Sequence, residues 1–268
     1  MQFIDTHCHL DFSAFDRDRV EVIERSQKAG VIRWVNPGVD VESSRRAIDL
    51  ANQIPDLFVA VGIHPTEAAQ DQREDLREIE RLAKNPKVVA IGEIGLDYYH
   101  QTTSPEVQKE YLKAQLEIAA TSGLPVIIHS RKAMAEVLDL LEKWCDDLRS
   151  QGSKLAPHPG VLHSFEGELE DALRATAMGF YLGVTGPITY LNAPERRTVF
   201  KDIPMEHLVL ETDAPYLTPH PHRGQRNEPA YIPVTGETLA ALHETTLDKV
   251  AEITTINANQ LFAWRMPD

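Results

Sequence analysis

The chain has 268 residues, 42% of them hydrophobic, two cysteines and a formal net charge of −14. That length can bury a sizeable core, in one barrel domain or two smaller ones, while so acidic a balance works against a broad basic surface gripping a duplex by its phosphates. Two cysteines are too few for a disulfide framework, no N-terminal apolar run resembles a signal peptide, and no stretch nears the roughly 18 apolar residues of a membrane span, so a soluble, cytoplasmic protein in a reducing compartment is expected.

Short apolar runs alternate with longer amphipathic segments throughout. Phe3 and Ile4 read as a first strand, and His7 and His9 beyond it fall on one side of an extended chain. Arg17 to Gly30 reads as a helix stopped by glycine, and Val31 to Gly38 as the second strand with its turn. Val41 to Ile54 is helical, Leu57 to Pro65 is the third strand and carries His64, and Gln72 to Lys84 is the next helix. Val88 to Gly95, containing Glu93, is the fourth strand.

The second half repeats the alternation. A helix over Pro105–Ser122, with Val107, Tyr111, Leu112, Leu116 and Ala119 at helical spacing, leads through Gly123 into a fifth strand, Pro125–His129. Ala133 to Arg149 is helical, the loop Ser150–Pro159 follows, and Gly160–His163 is the sixth strand. Glu168–Met178 is a helix, Phe180–Val184 the seventh strand, Arg196–Lys201 a short helix and Leu208–Asp213 the eighth strand. A long loop rich in Pro, His and Arg, Leu217–Pro233, precedes one or two helices that include Lys249–Trp264.

Eight strand–helix units in about 250 residues suit a closed parallel (β/α)8 TIM-type barrel, and near-continuous apolar strands reflect burial on both faces. The competing fold, an open doubly wound sheet, usually carries a G-x-G-x-x-G loop after its first strand, which is missing here. Nothing divides the chain, so one α/β domain over residues 1–268 is expected.

Polar residues that a buried strand should not carry gather at the C-terminal strand ends: His7, His9, His64, Glu93, His129, His163 and Asp213. In a barrel these ends converge on one mouth, where enzymes of this architecture place their chemistry. His7, His9, Glu93, His129, His163 and Asp213 are too many donors for one tetrahedral ion with an open position. They suit two divalent ions, with Glu93 from the middle of the strand order as the bridge. Zn²⁺ or Mn²⁺ suits imidazole and carboxylate donors, while Mg²⁺ prefers oxygen. Such a pair activates water for hydrolysis, with Asp213 as general base. Cys8 alternates away from the histidine pair, and Cys145 lies within a helix. Arg131, Arg223 and Arg226 are candidate phosphate contacts, set against a bland role as solvated surface arginines.

With these blocks assembled, the sequence resembles the TatD family of metal-dependent deoxyribonucleases in the amidohydrolase superfamily. The resemblance runs in order through Asp5-Thr6-His7-Cys8-His9-Leu10-Asp11, Gly62-Ile63-His64-Pro65, Gly92-Glu93-Ile94-Gly95-Leu96-Asp97-Tyr98-Tyr99, Pro125-Val126-Ile127-Ile128-His129-Ser130-Arg131, Gly160-Val161-Leu162-His163-Ser164-Phe165 and Leu210-Glu211-Thr212-Asp213-Ala214-Pro215-Tyr216-Leu217-Thr218-Pro219. The block His222-Arg223-Gly224-Gln225-Arg226-Asn227-Glu228-Pro229 closes it. The resemblance implies a barrel hydrolase with those metal ligands, His64 near the substrate phosphate, and 3′ to 5′ exonuclease action on DNA, on single strands or 3′ ends. It points to no obligate protein partner. The usual His-Cys-Phe-Ser-Gly is His163-Ser164-Phe165-Glu166-Gly167 here, and the Glu166 carboxylate would repel a phosphate backbone. The alternatives are a hydrolase of a small ester, lactone or amide, which the same fold and metals permit, and a metal-binding scaffold without catalysis.

Overall fold

A computed structural model describes residues 1–68 and 73–264. Strands β1 (Phe3–Asp5), β2 (Val31–Pro37), β3 (Leu57–Val61), β4 (Val88–Asp97), β5 (Val126–Arg131), β6 (Gly160–Leu162), β7 (Tyr181–Val184) and β8 (Leu208–Leu210) form one parallel sheet in that order. Helices α1 (Arg19–Lys28), α2 (Val41–Ala51), α3 (Arg73–Leu82), α4 (Pro105–Ser122), α5 (Met134–Ser150), α6 (Leu169–Ala177) and α7 (Pro194–Asp202) alternate with them, and α8 (Ile232–Leu242) and α9 (Leu247–Phe262) follow. This is the TIM-type barrel expected from the alternation. Every residue of β4 is buried, which is why its sequence is apolar throughout apart from Glu93 and Asp97.

Local chemistry sets the helix limits. The Ser104 hydroxyl accepts from the Val107 amide and Pro105 occupies the first turn of α4. Gly123, at φ 64°, ends the helix in a left-handed cap, so the expected and observed limits agree. Asp40 and Ser43 cap α2 reciprocally. Elsewhere boundaries move. The chain makes a short 3-10 turn over Ser13–Phe15 before α1, so that helix starts at Arg19 rather than Arg17. The expected start of α3 at Gln72 lies outside the described residues. β4 runs on to Asp97, past the expected end at Gly95, while β8 stops at Leu210, three residues short of Asp213. α8 begins at Ile232, inside the stretch read as a loop.

Inside the barrel each strand contributes a side chain to one apolar layer, from Ile4 of β1 to Val209 of β8, and Ala258, Leu261 and Phe262 of α9 pack against it. Trp264 continues this plug, with its ring 4.8 Å from Phe58 near the start of β3. The N-terminal end of the barrel is therefore closed largely by apolar packing, with the Tyr181 hydroxyl donating to Gln260 at its margin. No helix among the described residues is long and apolar enough to cross a membrane.

The barrel closes where β1 meets β8. Thr6 N–H donates to Leu210 O at 3.1 Å, Asp213 N–H to His7 O at 2.8 Å, and His9 N–H to Ala214 O at 2.8 Å. Beneath these, the fully buried Asp5 carboxylate accepts from Thr212 N–H at 3.0 Å and from the Thr212 hydroxyl at 2.6 Å. Removing one partner of a buried hydrogen bond leaves the other desolvated and unpaired. Thr212→Val is therefore expected to lower stability by about 1–3 kcal/mol in urea unfolding, whereas Thr212→Ser, which keeps the hydroxyl, recovers most of it. An unchanged midpoint for Thr212→Val would contradict this account of the seam.

Candidate metal centre

His7 and His9 lie just past β1, where the seam holds their backbone against Asp213 and Ala214. Their Nε2 atoms approach to 3.3 Å. Nδ1 of both is buried without a hydrogen-bond partner among the described residues, so nothing on that side sets the tautomer. Cys8 turns the other way, its Sγ 3.8 Å from Val35 O. Asp213 reaches the pair from beyond β8, with Oδ1 3.7 Å from His7 Nε2 and 3.6 Å from His9 Nε2. Its φ of 56° is in the left-handed region, which non-glycine residues adopt at a cost and which aims the carboxylate inward.

Glu93 stands at the middle. Its Oε2 lies 3.3 Å from His7 Nε2 and 3.9 Å from His9 Nε2. Its Oε1 lies 2.9 Å from His129 Nδ1, 3.7 Å from His64 Nε2 and 4.0 Å from His163 Nε2. His163 stacks on His7 with ring centres 3.5 Å apart. All the residues singled out at the strand ends thus meet. Donor atoms of His7, His9 and Asp213, of His64, Glu93 and His129, and of His7, His163 and Glu211 each gather within 4.8 Å of one another.

Burial and pairing set the charge here. Burial opposes ionisation of Glu93, but His7, His129 and His163 outweigh it and hold the carboxyl well below its usual range. Burial likewise opposes charging of His129 and His163, yet Asp97 and Glu93 raise the first to about 9 and Glu211 raises the second to about 10. His64 goes the other way, since burial lowers it to about 3 and leaves it neutral. Its Nδ1 accepts from Thr66 N–H at 3.2 Å, which puts the ring proton on Nε2, facing the centre.

Two residues of the site were not picked out in the sequence. Glu211 is fully buried, and its Oε1 lies 2.9 Å from His163 Nδ1. Asp97, the last residue of β4, places Oδ2 3.2 Å from His129 Nε2. Each stands behind an imidazole on the side away from Glu93, Asp97 in hydrogen-bond contact with its ring and Glu211 at ion-pairing distance, where carboxylates commonly sit behind metal-binding histidines. A signal was present for both: Glu211 sits two residues from Asp213, and Asp97 four from Glu93, in apolar surroundings.

The arginines divide. Arg131, the last residue of β5, lies over the Tyr99 ring at 4.4 Å, and Arg223 over Tyr190 at 4.1 Å. Arg226 instead makes two hydrogen bonds of 2.7 Å to the Asp18 carboxylate, so it braces α1 and is removed from the candidate phosphate contacts. Glu166, which would repel phosphate, is paired with Arg196 at 3.0 Å.

A barrel with a buried cluster of imidazoles and carboxylates at its C-terminal mouth defines a class of metal-dependent hydrolases. Comparison with known proteins narrows the class. The family described as TatD related DNase matches residues 4–263. The uncharacterized metal-dependent hydrolase YabD of Bacillus subtilis is 40% identical over 258 residues, covering 96% of this chain and 98% of that protein. A protein of Erwinia tasmaniensis named 3′-5′ ssDNA/RNA exonuclease TatD is 34% identical over 264 residues, covering 96% and 98%. The crystal structure of YjjV, a TatD homolog from Escherichia coli K12, superposes with a TM-score of 0.89 at 33% identity over 97% of this chain and 98% of that one. The chain belongs to the TatD family of metal-dependent hydrolases.

The Asp18 clamp yields a pH test. Hydrogen bonds from Arg226 and Arg25 lower the Asp18 carboxyl from 3.8 to about 2. A group depressed in the folded state stabilises it above the unfolded value and loses that contribution as pH falls through the folded one. The stability difference between wild type and Asp18→Asn is expected to hold steady above about pH 4 and shrink toward pH 2 in thermal melts. A difference independent of pH over that window would contradict the clamp.

Proposed function

We propose that this protein is a two-metal phosphodiesterase that removes nucleotides from the 3′ end of DNA and releases 5′-phosphates. The observation that carries the reading is the two-sided setting of Glu93, one oxygen facing His7 and His9, the other facing His129 and His163. The donor set fits divalent ions, since converging imidazole nitrogens and carboxylate oxygens in a buried space suit Zn²⁺, Mn²⁺ or Mg²⁺. His7, His9 and Asp213 would hold one ion, His129 and His163 the other, and Glu93 both. Bound ions supply a water of lowered pKa and positive charge opposite the scissile phosphate.

The chain's own residues do the rest. Asp213, ionised in this setting because bonds and charges from His9, His163 and His7 overcome its burial, accepts the water's proton at Oδ2, the oxygen left over when Oδ1 faces His7 and His9. His64 donates from Nε2 to a phosphate oxygen. Arg131 and Arg223 hold flanking phosphates. Asp97 and Glu211 fix the ring orientations of His129 and His163. The Erwinia relative's name supports nucleic acid as the substrate class.

Incubation of labelled single-stranded DNA with Mg²⁺ or Mn²⁺ is expected to give shortening from the 3′ end that chelation abolishes. Asp213→Asn is expected to slow it by about 10²–10⁴-fold. No cleavage in either metal, or undiminished cleavage by Asp213→Asn, would overturn the reading, and much faster turnover of a small ester or lactone would replace it. Separately, Glu211→Ala is expected to weaken Mn²⁺ binding by about 10–100-fold in calorimetry, with wild-type affinity contradicting its role behind His163.

A further inference from the structure

In this acidic chain, arginines outside the mouth are mostly tied to carboxylates: Arg25 to Glu228 at 2.6 Å, Arg174 to Glu142 at 2.6 Å, Arg226 to Asp18 at 2.7 Å. Arg131 and Lys132 are different. Both side chains are exposed, and neither has a carboxylate partner among the described residues. They converge instead on one ring, Arg131 at 4.4 Å and Lys132 at 4.9 Å from the centre of Tyr99. Lys132 adopts φ 53°, folding the chain back just after β5 so that two consecutive cations reach the same tyrosine.

Tyr99 is 51% exposed. Its backbone is nonetheless fixed. Tyr99 N–H donates to Asp97 Oδ1 at 2.8 Å, and the other oxygen of that carboxylate touches His129. The ring is thus a half-exposed aromatic surface held to the polar cluster through one carboxylate, with two uncompensated cations beside it. A ring against arginine stacks flat π systems, and adjacent free cations take phosphates. Only an unpaired base offers its face to such a surface.

We infer that Tyr99, Arg131 and Lys132 form a subsite for an unpaired nucleotide next to the scissile phosphate, the base stacked on the Tyr99–Arg131 surface and its phosphate on the two cations. This rests on the nuclease reading and predicts a preference for single strands over duplex. Tyr99 would position substrate without taking part in bond cleavage.

The test is steady-state kinetics on a single-stranded oligonucleotide and on three strands bearing a tetrahydrofuran abasic residue at one of the last three positions. Tyr99→Ala is expected to raise KM about tenfold with a much smaller effect on kcat, and Tyr99→Phe, which keeps the ring, to restore it. Wild type should lose a similar factor on one abasic strand, and Tyr99→Ala should no longer distinguish that strand from the intact one. Thermal melting checks that the variants are folded. If wild type cleaves nucleic acid but Tyr99→Ala keeps the wild-type KM, or still discriminates against the abasic strands, the subsite falls alone. If wild type cleaves no nucleic acid, the nuclease reading falls and takes the subsite with it.

Discussion

A carboxylate removed from water costs several kcal/mol unless positive charge meets it, and at this mouth that carboxylate is Glu93, 4% exposed in the middle of β4. Among the described residues its ion-pairing neighbours are imidazoles alone: His7, His9, His64, His129 and His163. No lysine or arginine shares the load. These rings arrive from β1, β3, β5 and β6, so the compensation exists only once the barrel has closed. Folding and site assembly are therefore one event. The remaining carboxylates follow from the same constraint, because imidazoles gathered around one anion repel each other when charged. Asp97 and Glu211 stand behind His129 and His163 and make their positive charge tolerable, while His64, lacking such a carboxylate behind it, stays neutral.

The barrel supports this arrangement by separating its two ends. Leu261, Phe262 and Trp264 close the N-terminal end with apolar packing, while the imidazole and carboxylate cluster gathers at the other. At the other end the β1–β8 seam decides the geometry of the first half of the centre. Backbone bonds from Asp213 to His7 and from His9 to Ala214 bring residues from opposite ends of the sequence into contact, and the Asp5–Thr212 pair locks the register beneath them. A slip of one residue there would turn His7 and His9 away from Asp213, since side chains alternate.

The fold was legible because burial on both faces writes itself into apolar runs, and the site because a buried strand end has little structural use for histidine. The two-residue spacing placed His7 and His9 together, and the convergence of barrel strands placed Glu93, His129, His163 and Asp213 with them. Glu211 and Asp97 were harder to see. Their purpose lies in contacts to His163 and His129 from other strands, and a carboxylate near a strand end reads equally well as a helix cap. Arg226 was misplaced for the same reason: its partner, Asp18, is distant in sequence and its pairing is visible only in space. Glu166, read as a repulsive charge, is paired with Arg196. Strand ends shifted where tertiary hydrogen bonds captured the chain, as at Leu210, whose carbonyl is taken by Thr6.

On the proposed reading, Glu93 would hold two divalent ions at once. Manganese titration of the metal-stripped protein followed by electron paramagnetic resonance tests it most directly, because ions sharing a carboxylate are magnetically coupled. The account predicts two equivalents of Mn²⁺ with a coupled spectrum that collapses to isolated-ion lines in Glu93→Gln. One equivalent, or two uncoupled ions in the wild-type protein, would contradict it.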